Sequence, residues 1–169
     1  FTPPSGDKHD YMSVGPYWWP NPETEDGLPY IRKDGLVNPE RDAYDRIPLA
    51  HLTTSVQTLA LAFYFTDHAP YASHAAKLLR AWFLDEKTRM NPHLEYGQAI
   101  PGITEGRGIG IIDTYRFATI ADAIGLLAAS ESWTEQDQAE MVSWFGEYLE
   151  WLLRSDHGMH EASRKNNHG

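Results

Sequence analysis

The sequence contains no cysteine, which excludes disulfide bonds, thiolate metal sites and a cysteine nucleophile. It is also short of positive charge: 14 Lys and Arg residues stand against 24 Asp and Glu residues, for a net charge of −10. This balance disfavours non-specific binding to nucleic acid or to an anionic membrane surface. No apolar run approaches the roughly 20 residues that span a bilayer. We therefore expect no nucleic-acid and no membrane partner, and protein partners stay undefined.

The chain does have enough apolar residues for a folded core. Its 169 residues are 41% hydrophobic, 12% aromatic and 22% charged, a composition typical of a globular domain and not of a disordered segment. A length of this order suits one domain and is short for two. We expect a single folded domain.

Proline and glycine are concentrated in residues 1–46, which excludes a long helix in this arm. The arm also carries aromatic residues, namely Tyr11, Tyr17, Trp18, Trp19 and Tyr30. A solvated linker would be depleted of such side chains. Two interpretations stay open for Tyr17, Trp18 and Trp19: a stacking platform for sugar rings, or an anchor that packs the arm onto the helices.

Apolar residues at three- and four-residue spacing predict four helices, over 48–65, 70–85, 113–128 and 134–154. Asp113 and Thr134 are the predicted N-caps of the last two. No strand is predicted. The expected fold class is therefore all-α, with antiparallel helical hairpins stacked as in an α-solenoid or an α/α toroid. A four-helix bundle is the alternative, but the long connection over 86–112 is unusual for a bundle.

A glycine-rich run precedes the third predicted helix, with the sequence GRGIGII at 106–112. It is a poor dinucleotide loop, because a preceding strand is not predicted and a P-loop lysine is missing. The run either carries Arg107 toward an anion or serves the backbone conformation alone. The histidine-rich tail from His157 onward lacks the ligand spacing of a zinc site. We expect no metal and no cofactor.

Several distinctive runs are spread from one end of the chain to the other, among them GPYWWPNP at 15–22, YGQAIPG at 96–102, GRGIGIID at 106–113 and NNHG at 166–169. Further ones cover 5–14, 27–35, 38–40, 82–85 and 88–92. Together they resemble the alginate lyase family of polysaccharide lyases. The resemblance implies an incomplete α/α toroid with a deep cleft.

The resemblance also implies a chemistry, β-elimination at a uronic acid, in which a base removes the C5 proton while donors neutralise the C6 carboxylate. Asn167 matches the neutralising asparagine of the family, and His168 matches its catalytic histidine, as base or as partner in neutralisation. An anionic polysaccharide or oligosaccharide is the expected partner, with alginate first and glucuronan second. The expected substrate-binding residues are Tyr17, Trp18, Trp19, Gln98, Arg107 and Arg164.

The organisation expected from this resemblance is one partial domain over 1–169, with the arm at 1–46 and helical hairpins and cleft loops at 47–169. We expect the chain to be an excerpt of a longer enzyme, whose catalytic Tyr and Arg follow Gly169, and to be periplasmic or secreted. Two alternatives remain open. One is a toroidal glycoside hydrolase, for which Asp10, Glu105 and Asp113 supply loop carboxylates; the other is a non-catalytic sugar-binding fragment.

Overall fold

A computed structural model describes residues 2–165, in two compact units. The loop-and-strand unit is formed by the segments up to Ile47, from His93 to Asp113 and from Trp151 onward. The helical unit is formed by Pro48–Pro92 and Thr114–Glu150.

The described residues contain five α-helices. They are α1 (Arg46–Thr66), α2 (Ala69–Leu79), α3 (Phe117–Leu127), α4 (Glu135–Arg154) and α5 (Asp156–Ala162). A π-helical turn at Arg80–Leu84 continues α2, and 3-10 helices cover Pro39–Ala43 and Gly108–Thr114. The four predicted helices are thus confirmed as α1 to α4. Pro70 lies in the first turn of α2, where its missing N–H leaves no hydrogen bond unmade.

Four short strands form two small sheets in the segments predicted to be irregular. They are β1 (Met12–Val14), β2 (Trp18–Trp19), β3 (Ile31–Arg32) and β4 (Tyr96–Ala99). Strand β1 pairs in parallel with β4, with a register shift between Met12 and Val14. Strand β2 pairs antiparallel with β3.

The strands make the predicted all-α class wrong. About 53% of residues 2–165 are helical, and the structure is mixed α/β, not an all-α toroid. The cause is local: proline and glycine exclude helix over these segments, but they leave two- to four-residue extended pieces that pair across long sequence separations. Pieces of this length are too short to show the two-residue periodicity by which a strand is recognised in a sequence.

The helical unit has an aromatic core, in which Phe83, Phe117 and Trp144 lie together. The ring centroids are 4.7 Å apart for Phe83 and Trp144 and 5.7 Å apart for Phe83 and Phe117, in edge-to-face geometry. Trp144 also donates from Nε1 to the carbonyl oxygen of Met90 at 2.8 Å. Such pairs add about 0.5–1.5 kcal/mol each beyond burial, so this cluster joins the π-helical turn, α3 and α4.

Helix α4 begins at a reciprocal cap, which confirms Thr134 as its N-cap. Thr134 Oγ1 accepts from the backbone N–H of Asp137 at 3.1 Å, and Thr134 donates to the Asp137 carboxylate from both N (2.8 Å) and Oγ1 (2.6 Å). Arg80 adds two bonds to that carboxylate, from Nε at 2.7 Å and Nη2 at 2.6 Å. Arg80 is the main reason that the pKa of Asp137 falls to about 2.

Among residues 2–165, no helix combines the length and apolar character needed to cross a bilayer.

Candidate functional site

A buried carboxylate, Asp113, belongs to the loop-and-strand unit. Its side chain is fully buried. Oδ2 accepts from Ser13 Oγ at 2.6 Å and from Tyr11 Oη at 3.1 Å, while Oδ1 faces Gln98 Nε2 and Arg46 Nε, both at 3.4 Å. Burial, followed by the charge of Asp113, raises the pKa of Tyr11, so this phenol stays protonated and donates. Asp113 therefore ties four separate segments together.

The predicted N-cap role of Asp113 is wrong. Asp113 lies in the 3-10 helix Gly108–Thr114, and α3 starts only at Phe117, after the N-cap residue Arg116, whose side chain makes no capping hydrogen bond. The carboxylate satisfies side chains of the arm in place of helix N–H groups. Nothing in the local sequence distinguishes these two uses, because the hydroxyl donors Tyr11 and Ser13 are about 100 residues away.

Gln98 connects this carboxylate to the surface. It has a positive φ of 49°, a left-handed conformation that costs a non-glycine residue about 1–3 kcal/mol. Its backbone N–H donates to Ser13 Oγ at 2.8 Å. Its carbonyl oxygen accepts from Arg107 Nε at 2.7 Å, and its Oε1 accepts from Arg107 Nη2 at 3.2 Å. Gln98 thus holds the Arg107 guanidinium at two points.

Gly15 provides the space in which Arg107 and Trp18 lie side by side. A Cβ at residue 15 would come within 2.6 Å of both Arg107 Nη2 and Trp18 Cδ1. Any larger residue would displace one of them. The guanidinium and the indole therefore share one small area above the Gly15 backbone.

Two further arginines act on Arg107 through their charge. Burial lowers the pKa of Arg107, and the charges of Arg164 and Arg32 lower it further; an arginine remains ionised all the same. Arg32 pairs with Asp34 at 2.8 Å and Arg164 with Glu161 at 3.5 Å. The Arg107 guanidinium bonds to a neutral amide residue instead. We call Arg32, Arg107 and Arg164 the arginine cluster.

The aromatic residues of the arm lie beside this cluster. Trp18 and Trp19 form strand β2, and Trp18 pairs with Arg32 of β3. Trp19 donates from Nε1 to the carbonyl oxygen of Leu36 at 2.9 Å, and Lys33 Nζ lies 5.0 Å from its ring centroid. Both tryptophans are half-buried, whereas Tyr17 is exposed. The burial of the two tryptophans is therefore compatible with both interpretations, packing of the arm and contact with a ligand.

A pocket of about 620 Å³ in the same unit is a poor place for an anion. Its wall is mainly apolar, with Leu28 and Ile103 among the lining residues, and its charged residues are Asp26 and Glu105. A polyanion would meet carboxylates there. The arginine cluster is the better candidate site.

The structure brings several of the predicted site residues together, whereas two others lie outside the described residues. Trp18 and Arg107 meet at Gly15, Gln98 is bonded to Arg107, and Arg164 acts electrostatically on Arg107. Asn167 and His168 lie outside the described residues. Sequence reasoning missed Tyr11 and Ser13; their i, i+2 spacing would have placed both on one strand face, had a strand been predicted.

Two histidine–carboxylate pairs were also missed. His93 Nε2 lies 3.0 Å from Asp10 Oδ1, and His157 Nε2 lies 3.7 Å from Glu95 Oε2. Glu95 also accepts from Trp151 Nε1 at 2.6 Å. The first pair joins the arm to His93 and the second joins α5 to Glu95, all within the loop-and-strand unit. Among residues 2–165, no group of three or more His, Asp or Glu side chains could hold a metal ion.

Comparison with known proteins identifies the family. The alginate lyase family model matches residues 1–169, and the chain therefore belongs to the alginate lyase family, as the sequence motifs predicted. The crystal structure of an alginate lyase from Bacteroides ovatus is similar, with a TM-score of 0.96 and 51% sequence identity over all of this chain. The match covers 45% of that protein's chain, so the present chain spans less than half of its length. No curated protein matches the chain.

Proposed function

We propose that the protein is a polysaccharide lyase that cleaves a uronate polymer, alginate first and glucuronan second, by β-elimination. The observation that carries this proposal is the family match over residues 1–169, together with 51% identity to an alginate lyase. The arginine cluster beside Trp18 supports it, because a uronate unit offers a carboxylate to a guanidinium and a C–H face to an indole.

The proposed reaction breaks the bond between C4 and the glycosidic oxygen. A base takes the C5 proton, the electron pair of that C–H bond forms the C4=C5 double bond, and the glycosidic oxygen leaves with a proton from an acid. Proton removal next to an ionised carboxylate is unfavourable, since negative charge builds on that group in the transition state. Donors around the carboxylate lower this barrier.

Asn167 and His168 are the proposed catalytic residues, by their match to the family motif. A neutral amide donor suits the carboxylate of the sugar, and an imidazole titrates close to neutral pH. The proposed substrate-binding set is Tyr17, Trp18, Trp19, Gln98, Arg107 and Arg164. In it, Arg107 and Arg164 face the carboxylates of the polymer, and Gln98 contributes by holding Arg107.

The net charge of −10 is compatible with a polyanionic substrate when charge is considered locally. The arginine cluster groups three cations in the loop-and-strand unit, with Lys33 over the neighbouring Trp19. A local positive region steers an anionic ligand even on an acidic protein.

We also propose that residues 1–169 are part of a single domain and that the protein works in the periplasm or outside the cell. The substrate class supports this location, because a polymer of this kind cannot diffuse across a membrane.

Ultraviolet absorbance tests the reaction type, since elimination creates a C4=C5 bond conjugated with the C6 carboxylate and hydrolysis does not. The full-length protein is incubated separately with alginate, glucuronan and a neutral polysaccharide as control. We expect absorbance to rise with a uronate polymer and not with the control. New reducing ends without absorbance would indicate a hydrolase, and no reaction with any uronate polymer would contradict the proposal.

A further inference from the structure

The buried Asp113 has no role in the function proposed above, yet it is bonded to the residues that hold Arg107. We infer that Asp113 is a positioning residue, which acts through Ser13 and Gln98 to fix the Arg107 guanidinium where it binds a carboxylate of the substrate. The inference rests on the proposed function for the nature of that anion, a uronate.

The first step runs from Asp113 to the backbone of Gln98. Ser13 has a single hydroxyl proton, and it donates that proton to Asp113 Oδ2 at 2.6 Å. Ser13 Oγ then accepts from the backbone N–H of Gln98, whose nitrogen is 2.8 Å away. An ionised carboxylate accepts only, so the direction of both bonds is fixed. The left-handed φ of Gln98 persists because this bond supports it.

The second step concerns the side-chain amide of Gln98. Its Nε2 faces Asp113 Oδ1 at 3.4 Å, and its Oε1 faces Arg107 Nη2 at 3.2 Å. The flipped amide would direct NH2 at a guanidinium and an oxygen at a carboxylate, and both contacts would be repulsive. The charge of Asp113 therefore selects the orientation in which Gln98 accepts from Arg107.

The third step concerns the guanidinium itself. The charges of Arg32 and Arg164 oppose that of Arg107, and the charge of Asp113 offsets them only in part, so without an anchor the long side chain would favour rotamers away from the arginine cluster. Gln98 engages Nε and Nη2 and leaves other N–H donors of the five on a guanidinium for an anion. Binding of an anion costs less side-chain entropy when the guanidinium is already held in place.

A double-mutant cycle in the full-length protein tests the inference. Initial rates of absorbance are measured on alginate, or on whichever uronate polymer is cleaved, for wild type, Ser13→Ala, Arg107→Ala and the double variant. We expect Ser13→Ala to raise KM about tenfold, the scale of one lost charge-assisted hydrogen bond. In the Arg107→Ala background we expect the same change to have almost no effect, because residues that act through each other are not additive.

Two further variants guard against a simple folding defect. Gln98→Asn keeps the backbone groups and tolerates a positive φ, but its shorter side chain cannot reach Arg107; we expect KM to rise. Asp113→Asn is compared with Asp122→Asn, the same loss of charge on an exposed position of α3. We expect KM to rise for Asp113→Asn and to stay unchanged for Asp122→Asn. Equal KM values for wild type, Ser13→Ala and Gln98→Asn would overturn the inference.

A readout that needs no activity separates this inference from the proposed function. In nitrogen-15 NMR of the arginine side chains, the Arg107 Nε–H bonded to the Gln98 carbonyl should exchange slowly in wild type and rapidly in Ser13→Ala. Should wild type cleave no uronate polymer while this signal is lost in Ser13→Ala, the function fails and the positioning stands. If wild type cleaves a uronate polymer, and Ser13→Ala changes neither the Arg107 signal nor KM, then the positioning inference is wrong and the proposed function stands.

Discussion

Two buried aspartates, one in each unit, differ in what surrounds the same side chain. Asp137 in the helical unit accepts two hydrogen bonds from the Arg80 guanidinium and closes the cap of α4. Asp113 in the loop-and-strand unit accepts bonds from two hydroxyl groups, at 2.6 Å from Ser13 and 3.1 Å from Tyr11, while Arg46 lies at 3.4 Å. One carboxylate makes a direct ion pair, and the other mainly orders neutral donors.

The difference separates stability from orientation. A direct ion pair with a cap stabilises the helix that it closes. A carboxylate that orders hydroxyl and amide groups imposes a direction on every hydrogen bond that follows, as far as Arg107. We therefore expect variants of the helical unit to change the free energy of unfolding, and variants of the loop-and-strand unit to change catalysis or binding.

The largest expected effect belongs to the proposed chemistry. Asn167→Ala and His168→Ala should each lower turnover by roughly 10²-fold or more, the scale of a lost charge-stabilising or acid–base group. The melting temperature should stay close to that of wild type, which thermal unfolding measures beside the absorbance assay. If activity instead falls only in step with stability, these residues order the chain and do not act in the reaction.

The second largest effect is expected for Asp137, in the helical unit. Asp137→Asn should lower the free energy of unfolding by about 1–3 kcal/mol, because the cap of α4 weakens and the Arg80 pair is lost. Denaturant unfolding measures this loss, while KM on the uronate polymer should not change. A clear change in KM with unaltered stability would break the distinction between the two aspartates.

The same contrast explains what the sequence could predict. Helices α1 to α4, the Thr134 cap and the family follow from patterns a few residues long, which local sequence carries. The strands and the Asp113 contacts do not: Tyr11 and Ser13 lie about 100 residues from their partner, and a carboxylate after a glycine-rich run looks like an N-cap. The positive φ of Gln98 is likewise set by tertiary contacts, since glutamine has no preference for it.

The third effect distinguishes ligand contact from packing for the tryptophans. Trp18→Ala and Trp19→Ala should raise KM several-fold, by the roughly 0.5–1.5 kcal/mol of an aromatic contact, with little change in melting temperature. Trp144→Phe is the matched control, because Trp144 is buried in the aromatic core and donates to Met90. It should lower stability and leave KM unaltered. A large loss of stability for Trp18→Ala with constant KM would favour the anchor.

The smallest effect is a pH dependence confined to Asp137. Its folded pKa of about 2, chiefly due to Arg80, lies below the ordinary value of 3.8. A carboxyl group with a depressed pKa stabilises the fold above its unfolded pKa, and this stability is lost as pH falls from about 4 to about 2. Arg80 is 39% exposed, so solvent screening limits the contribution to about 1 kcal/mol. The stability difference between wild type and Asp137→Asn should therefore narrow over this range. In an Arg80→Met background, the stability difference caused by Asp137→Asn should vary much less with pH. An equally steep dependence in that background would show that Arg80 does not cause the lowered pKa of Asp137.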